Sequence, residues 1–238
     1  MKNTMIKLFL LAVVAASTAS VQAQGVISWA YANGNPILAT GYAGVVSATN
    51  WNLTGAGGSA NLSYDNASSS GTTLSLAGGF GDWGIGSVGS PDSDGTYNKA
   101  IFDGYYNSFS STLTLGSIPY STYDIYVYFS SDADGRNGTI SDGTTTYSFA
   151  TMAVGAVSGG NAVFTQTTDL AAGYPNADYA VFSGLSGTSE TLTIASNPNN
   201  GMGIAGFQIV ATPEPGTLAL ASLGGFALLA LRRRATKI

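Results

Sequence analysis

The stretch Tyr123 to Phe129 alternates without a break: Ile125, Val127 and Phe129 fall on one side of an extended chain, and Asp124, Tyr126 and Tyr128 on the other. A period of two residues is what a strand with one buried face requires, and it disfavours a helix, whose apolar positions recur at three and four. Shorter runs of the same kind predict strands at Thr112 to Leu115, Thr144 to Phe149, Tyr179 to Phe182, Thr191 to Ala195 and Ile204 to Val210. Val26 to Tyr31, Ala60 to Tyr64, Thr72 to Leu76 and Ala100 to Asp103 are further candidates. Clusters of Gly, Ser, Thr and Asn separate these runs. In Ser141-Asp142-Gly143-Thr144, an Asp-Gly pair stands between two of them and tolerates the positive φ of a tight hairpin. Roughly ten short strands with frequent turn signals predict an all-β fold, a β-sandwich or jelly roll. No repeat at a period of about 20 to 50 residues is visible, which disfavours a propeller or solenoid. Thirteen Tyr, ten Phe and three Trp are too many aromatics for a disordered chain.

Both ends stand apart from this pattern. Lys2 and Lys7 precede a short apolar run, Leu8 to Ala16, and Val21-Gln22-Ala23 then places small residues where a signal peptidase reads them. That order is a secretory signal, with too short an apolar stretch to span a membrane. Residues 1–23 are therefore expected to be removed, leaving Gln24 as the new start. A domain from Gln24 to Val210 is long enough to bury a core. It contains no cysteine, so an exported domain of this kind relies on packing and hydrogen bonds alone.

After Val210 the composition changes. Thr212-Pro213-Glu214-Pro215-Gly216 is a stiff break, Leu218 to Leu231 is apolar and uncharged, and Arg232, Arg233 and Arg234 follow at once. This segment, 211–238, resembles the tail of PEP-CTERM proteins of Gram-negative bacteria: Pro-Glu-Pro, an apolar helix and a basic cluster, in that order. The resemblance implies recognition by an exosortase, cutting near Pro213-Glu214-Pro215, and a setting of exopolysaccharide production. Physics points the same way. An apolar helix of about 21 to 24 Å at 1.5 Å per residue falls short of a hydrocarbon core of about 30 Å, so the segment suits transient retention in the inner membrane. The arginines stay cytoplasmic by the positive-inside rule. Within the central domain, Leu113-Thr114-Leu115-Gly116, Tyr123 to Tyr128 and the closing run Gly203 to Val210 resemble strands of galactose-binding-like jelly rolls.

Charge narrows the partners. Six of the eight Lys and Arg lie in the two end segments, leaving Lys99 and Arg136 against twelve carboxylates, a net −10 for the domain. Such a surface repels phosphate backbones, so no nucleic-acid partner is expected. With no histidine in 238 residues, Ser-His-Asp and Cys-His systems and His-based zinc sites are absent. No Gly-Lys-Ser/Thr phosphate loop occurs either. A glycosidase-type carboxylate pair remains formally open, but Glu190 is the domain's only glutamate and most aspartates sit in turn-forming contexts.

Two acidic loops are candidate sites. Asp92 and Asp94, and Asp132 and Asp134, are each spaced two apart beside a glycine. Hard oxygen ligands at that spacing can wrap calcium, although neither loop completes an EF-hand and Arg136 occupies a position where a third ligand is wanted. The alternative is a plain turn with an Asp–Arg contact. No other cofactor is expected. Trp51, Trp83, Tyr126 and Tyr128 are candidates for stacking sugar rings, against the commoner role of core packing. Tyr126 and Tyr128 share the face opposite Ile125 and Val127, and a sandwich of two layers turns one face to solvent.

The sequence thus reads as a non-catalytic exported protein of the cell envelope or extracellular matrix, binding glycan or exopolysaccharide. The alternative is a structural or adhesive matrix protein with no defined small ligand. A glycan-active enzyme is a third, weaker reading. The tail reading is testable by mass. Intact-mass measurement in the native host should find Gln24 as first residue and the C-terminal helix removed when exosortase is present. Neutral replacement of Arg232, Arg233 and Arg234 together should weaken retention and alter processing. If the intact tail persists equally with and without exosortase, the segment is a plain membrane anchor.

Overall fold

The computed structural model describes residues 25–31, 40–54, 60–85, 91–152, 162–197 and 201–212. The expected signal (1–23) and the apolar tail helix lie outside them. Among the described residues no helix is long and apolar enough to cross a membrane. Gly25–Ala211 forms one compact unit.

That unit is an all-β sandwich. Its strands are β1 (Ile27–Tyr31), β2 (Asn52–Thr54), β3 (Ala60–Ser63), β4 (Ser69–Ala77), β5 (Gly81–Gly84), β6 (Gly104–Ser108) and β7 (Ser110–Gly116). They continue with β8 (Thr122–Ser130), β9 (Asn137–Ser141), β10 (Thr146–Thr151), β11 (Asn176–Ala177), β12 (Tyr179–Ser186), β13 (Ser189–Asn197) and β14 (Met202–Ala211). The first sheet runs β12-β8-β14-β1-β2, with β6 and β5 attached beside β14; the second runs β11-β10-β9-β13-β7-β4-β3. The long β14 makes this possible. Its first residues pair with β6 (Met202 opposite Ser108) and its later ones with β1 (Ile209 opposite Ile27), while its other edge pairs with β8.

The alternation read in the sequence sets the core. Ile125, Val127 and Phe129 of β8 face Leu113 and Leu115 of β7, Leu192 and Ile194 of β13, Ile140 of β9 and Phe149 of β10 within one buried cluster. Trp29 of β1 stacks on Phe207 of β14 at 5.4 Å inside the same cluster. Burial of this apolar area is the main stabilising term in a chain without disulfides. The Asp-Gly pair turns β9 into β10 as predicted. Gly143 has φ 86°, and the Asp142 carboxylate accepts the Thr144 and Thr145 N–H groups at 2.8 and 2.6 Å.

Two departures from the sequence reading have clear causes. Ala100 to Asp103 is not a strand: Asn98–Phe102 is a 3-10 helix, and Ala100, Ile101 and Phe102 are buried because neighbouring segments pack on all its sides. β6 escaped prediction because Gly104, Tyr105 and Tyr106 are all buried, so no polar alternation marks it.

The junction of β14 and β6 is close enough to test. A Cβ at Gly203 would lie 1.8 Å from the Tyr106 carbonyl oxygen. Gly203→Ala should therefore push β6 from β14, costing about 3 kcal/mol or more and lowering Tm by about 6–12 °C. Ser75→Ala, on an exposed position of β4, should move Tm by less than about 2 °C. Equal effects in thermal melts would show that the close approach is not needed.

Candidate functional site

The residues singled out in the sequence divide sharply once placed. Tyr128 does point away from the Ile125–Val127 face, yet it is fully buried, and Trp51 is only 2% exposed. The expectation that this face of β8 meets solvent fails. Residues 43–51, the 3-10 helix and residues 162–164 form a third layer over it, packing Ala43, Trp51, Ile101, Phe102 and Phe164 around Tyr128 and Tyr105. A polar hub holds that layer down. The Tyr128 hydroxyl donates to Gln208 Oε1 at 2.6 Å and accepts the Val45 N–H at 2.8 Å. Gln208 Nε2 donates to the Val46 carbonyl at 2.6 Å, and Val46 N–H returns a bond to Oε1 at 3.2 Å. Burial pushes the Tyr128 hydroxyl far above its usual range, so it remains a neutral donor. Tyr128 and Trp51 are thus packed inside this layer and present no ring face to solvent.

Tyr126 is half-buried at the margin of that layer, and Trp83 on β5 is 49% exposed. The two do not form one platform, because β14 and β6 lie between β8 and β5. Two further exposed rings escaped the sequence reading. Phe80 is 65% exposed and Phe109 43% exposed, and their rings meet edge to face at 4.8 Å. Phe80 N–H bonds the Asn107 carbonyl at 2.7 Å, and Gly81 to Gly84 then pair along β6. This pairing sets Phe80 beside Phe109 at the end of β6, and Trp83 opposite Tyr105 three residues further along. The signal was present: Phe80 sits within Gly78-Gly79-Phe80-Gly81, and Phe109 among serines, contexts poor in partners for burying a ring.

The acidic loops are engaged locally. Asp92 is buried, with Lys99 Nζ 3.8 Å from Oδ1 and the Ala162 N–H bonded to Oδ2 at 3.1 Å. Asp94 accepts the Thr96 N–H and hydroxyl at 2.9 and 2.7 Å, bonds that hold its carboxyl below the usual range. Asp132 pairs with Arg136, whose guanidinium also donates to the Gly201 carbonyl. Asp134 is exposed on the same turn. Among the described residues no three His, Cys, Asp or Glu side chains gather as a metal site. Glu190 is half-buried and raised above the usual glutamate value, first by burial.

Residues 211–234 match the PEP-CTERM protein-sorting motif. The chain carries a PEP-CTERM sorting tail. No curated protein matches the chain. The motif marks an exported protein, held at the membrane and then sorted to the cell envelope through an exosortase-type enzyme. Pro213, Glu214, Pro215, Arg232, Arg233 and Arg234 fall within the match and outside the described residues.

One buried carboxylate reports on the third layer. Asp178 Oδ1 accepts the Thr165 N–H at 2.9 Å, Oδ2 has no hydrogen-bond partner, and burial raises the group from 3.8 to about 7. The folded chain thus keeps a proton that the unfolded chain releases between roughly pH 4 and 7. Stability from this group is full below pH 4 and lost as pH rises through about 7. Asp178→Asn keeps the acceptor without the charge. It should be more stable than the parent at pH 8, on the order of 3 kcal/mol, and little changed at pH 4. Parallel melting curves of the two proteins across that range would show that Asp178 does not titrate with folding.

Proposed function

We propose that the sandwich is a non-catalytic glycan-binding module of the cell envelope or extracellular matrix, delivered there by its sorting tail. The observation that carries this reading is the Phe80–Phe109 ring pair, in contact at 4.8 Å with 65 and 43% of the two side chains' surface in water. Exposed rings in contact are costly in solvent and present flat apolar faces to the C–H groups of a pyranose. The absence of histidine and the local engagement of Asp92, Asp132 and Asp178 support a binding role over a catalytic one. In this reading no cofactor takes part, and the aspartate loops serve as turns.

The test is affinity electrophoresis of the full chain in detergent through gels containing polysaccharides. Phe80→Ala, and separately Phe109→Ala, should weaken retardation about tenfold, one ring contact being worth roughly 1.4 kcal/mol. Melting curves should remain those of the parent, since both side chains are exposed. Absence of retardation by any polysaccharide, or full retardation of both variants, would leave a purely structural matrix protein as the better description.

A further inference from the structure

The third layer leaves the molecule asymmetric: it covers the outward face of the first sheet around Tyr128, while that of the second is open along β4, β7 and β13. Along β4, Thr73 and Ser75 point outward and are exposed while Thr72 and Leu74 are buried. β7 turns out Ser110, Thr112 and Thr114 between buried Ser111, Leu113 and Leu115. β13 turns out Thr191 and Thr193 between Glu190, Leu192 and Ile194. The registers align these into rows. Ser75, Thr114 and Thr191 stand side by side, and Thr112, Thr193, Ser141 and Thr146 form the next row. Neighbouring hydroxyls in a row are about 4.8 Å apart, and the rows about 6.8 Å.

The seven strands of this sheet contain one charged residue, Glu190, and it lies on the inward register. Soluble surfaces ordinarily carry about a quarter to a third charged residues. Along the centre of β4, β7 and β13 the solvent face offers chiefly hydroxyls and threonine methyls, with Asn61, Ala77, Ala195 and Asn197 towards its margins. The Phe80–Phe109 ring pair sits at one end of it. Phe109 immediately precedes β7, Phe80 follows β4 by three residues, and the Phe109 carbonyl accepts the Ser196 N–H near the end of β13 at 2.9 Å.

We infer that this face is a binding track for an extended neutral polysaccharide, entered at the Phe80–Phe109 pair. The inference rests on the glycan-binding reading above and adds the surface and the ligand class. Charge decides the class. The domain's net −10 repels an acidic polymer, and no cation on this face offsets it. A neutral sugar chain meets a matching surface, with hydroxyls to donate and accept and methyls to lie against its C–H groups. Each neutral hydrogen bond contributes only about 0.5–1.5 kcal/mol net, so a track of this kind holds long chains by many weak contacts and short ones poorly.

The experiment uses the full chain in detergent against neutral polymers (a glucan, a mannan and a galactan), acidic polymers (alginate and pectate), and oligomers of the retained sugar from the disaccharide up. Binding should favour a neutral polymer and strengthen with chain length. Joint replacement Thr114→Lys and Thr193→Lys should weaken polymer binding about tenfold or more while leaving disaccharide binding at the rings within about twofold. Thr114→Ser with Thr193→Ser keeps the hydroxyls and should bind the polymer nearly as the parent does. Phe80→Ala should weaken polymer and disaccharide alike. Unchanged polymer binding by the double lysine variant, with its melting curve intact, would remove the track while leaving a glycan site at the rings. Retention by acidic polymers alone would overturn the neutral class. No binding to any sugar would remove both readings.

Discussion

The bonds around Gln208 organise the unit. A glutamine inside a sheet is unfavourable unless every polar atom is satisfied. Here Oε1 accepts from Tyr128 and Val46, and Nε2 donates to the Val46 carbonyl and Ser28 Oγ. Satisfying Gln208 therefore requires the backbone at 45–46 to lie on the sheet. That backbone brings Trp51 and Ala43 down around Tyr128. A Cβ at Gly44 would fall 2.4 Å from Gln208 Oε1, at a φ of +100°, so the approach also demands glycine. One buried amide thus turns a two-layer sandwich into a three-layer one on one side, and leaves the other sheet as the broad open face.

The same layer explains where sequence reasoning succeeded and where it failed. Strands with one wet face were legible: β4, β7 and β13 alternate Ser or Thr with Leu or Ile, and their inward residues are those the pattern assigned. β8 was legible as a strand, but the environment of its second face was not. Period two says which residues share a face; it does not say whether a loop 83 residues distant in the chain will cover it. Tyr128 and Tyr126 look alike in the sequence, yet one is fully buried and the other half-exposed. β6 and the 3-10 helix were lost for the related reason that burial on all sides erases alternation.

The ring edge was hidden by a different habit of reading. Phe is usually interior, so a phenylalanine is assigned to the core unless its neighbours forbid it. At Phe80 the neighbours do. Gly78, Gly79 and Gly81 supply no side chains to cover a ring, and Gly79 is pressed against Tyr106, where a Cβ would come within 2.4 Å of Cζ. The tail, by contrast, was legible without any structure, because its order of Pro-Glu-Pro, apolar run and arginines is set by membrane physics rather than by packing.

Charge joins these features. The domain has two cations, and each is committed to a carboxylate: Lys99 to buried Asp92, and Arg136 to Asp132. Asp92 and Asp178 are both buried, and both bond the backbone of one segment, at Ala162 and Thr165, fastening it to the third layer. These two carboxylates therefore do structural work inside the covered side. Nearly all of the second sheet's strand positions were given to residues that carry no charge at all. A surface selected only for solubility in a strongly acidic domain would be expected to interleave both signs. The centre of this face, built of serine and threonine on β4, β7 and β13, would on the proposed reading meet water and sugar hydroxyls on equal terms. Selectivity for a ligand must then come from the shape of the face and from the rings at its end.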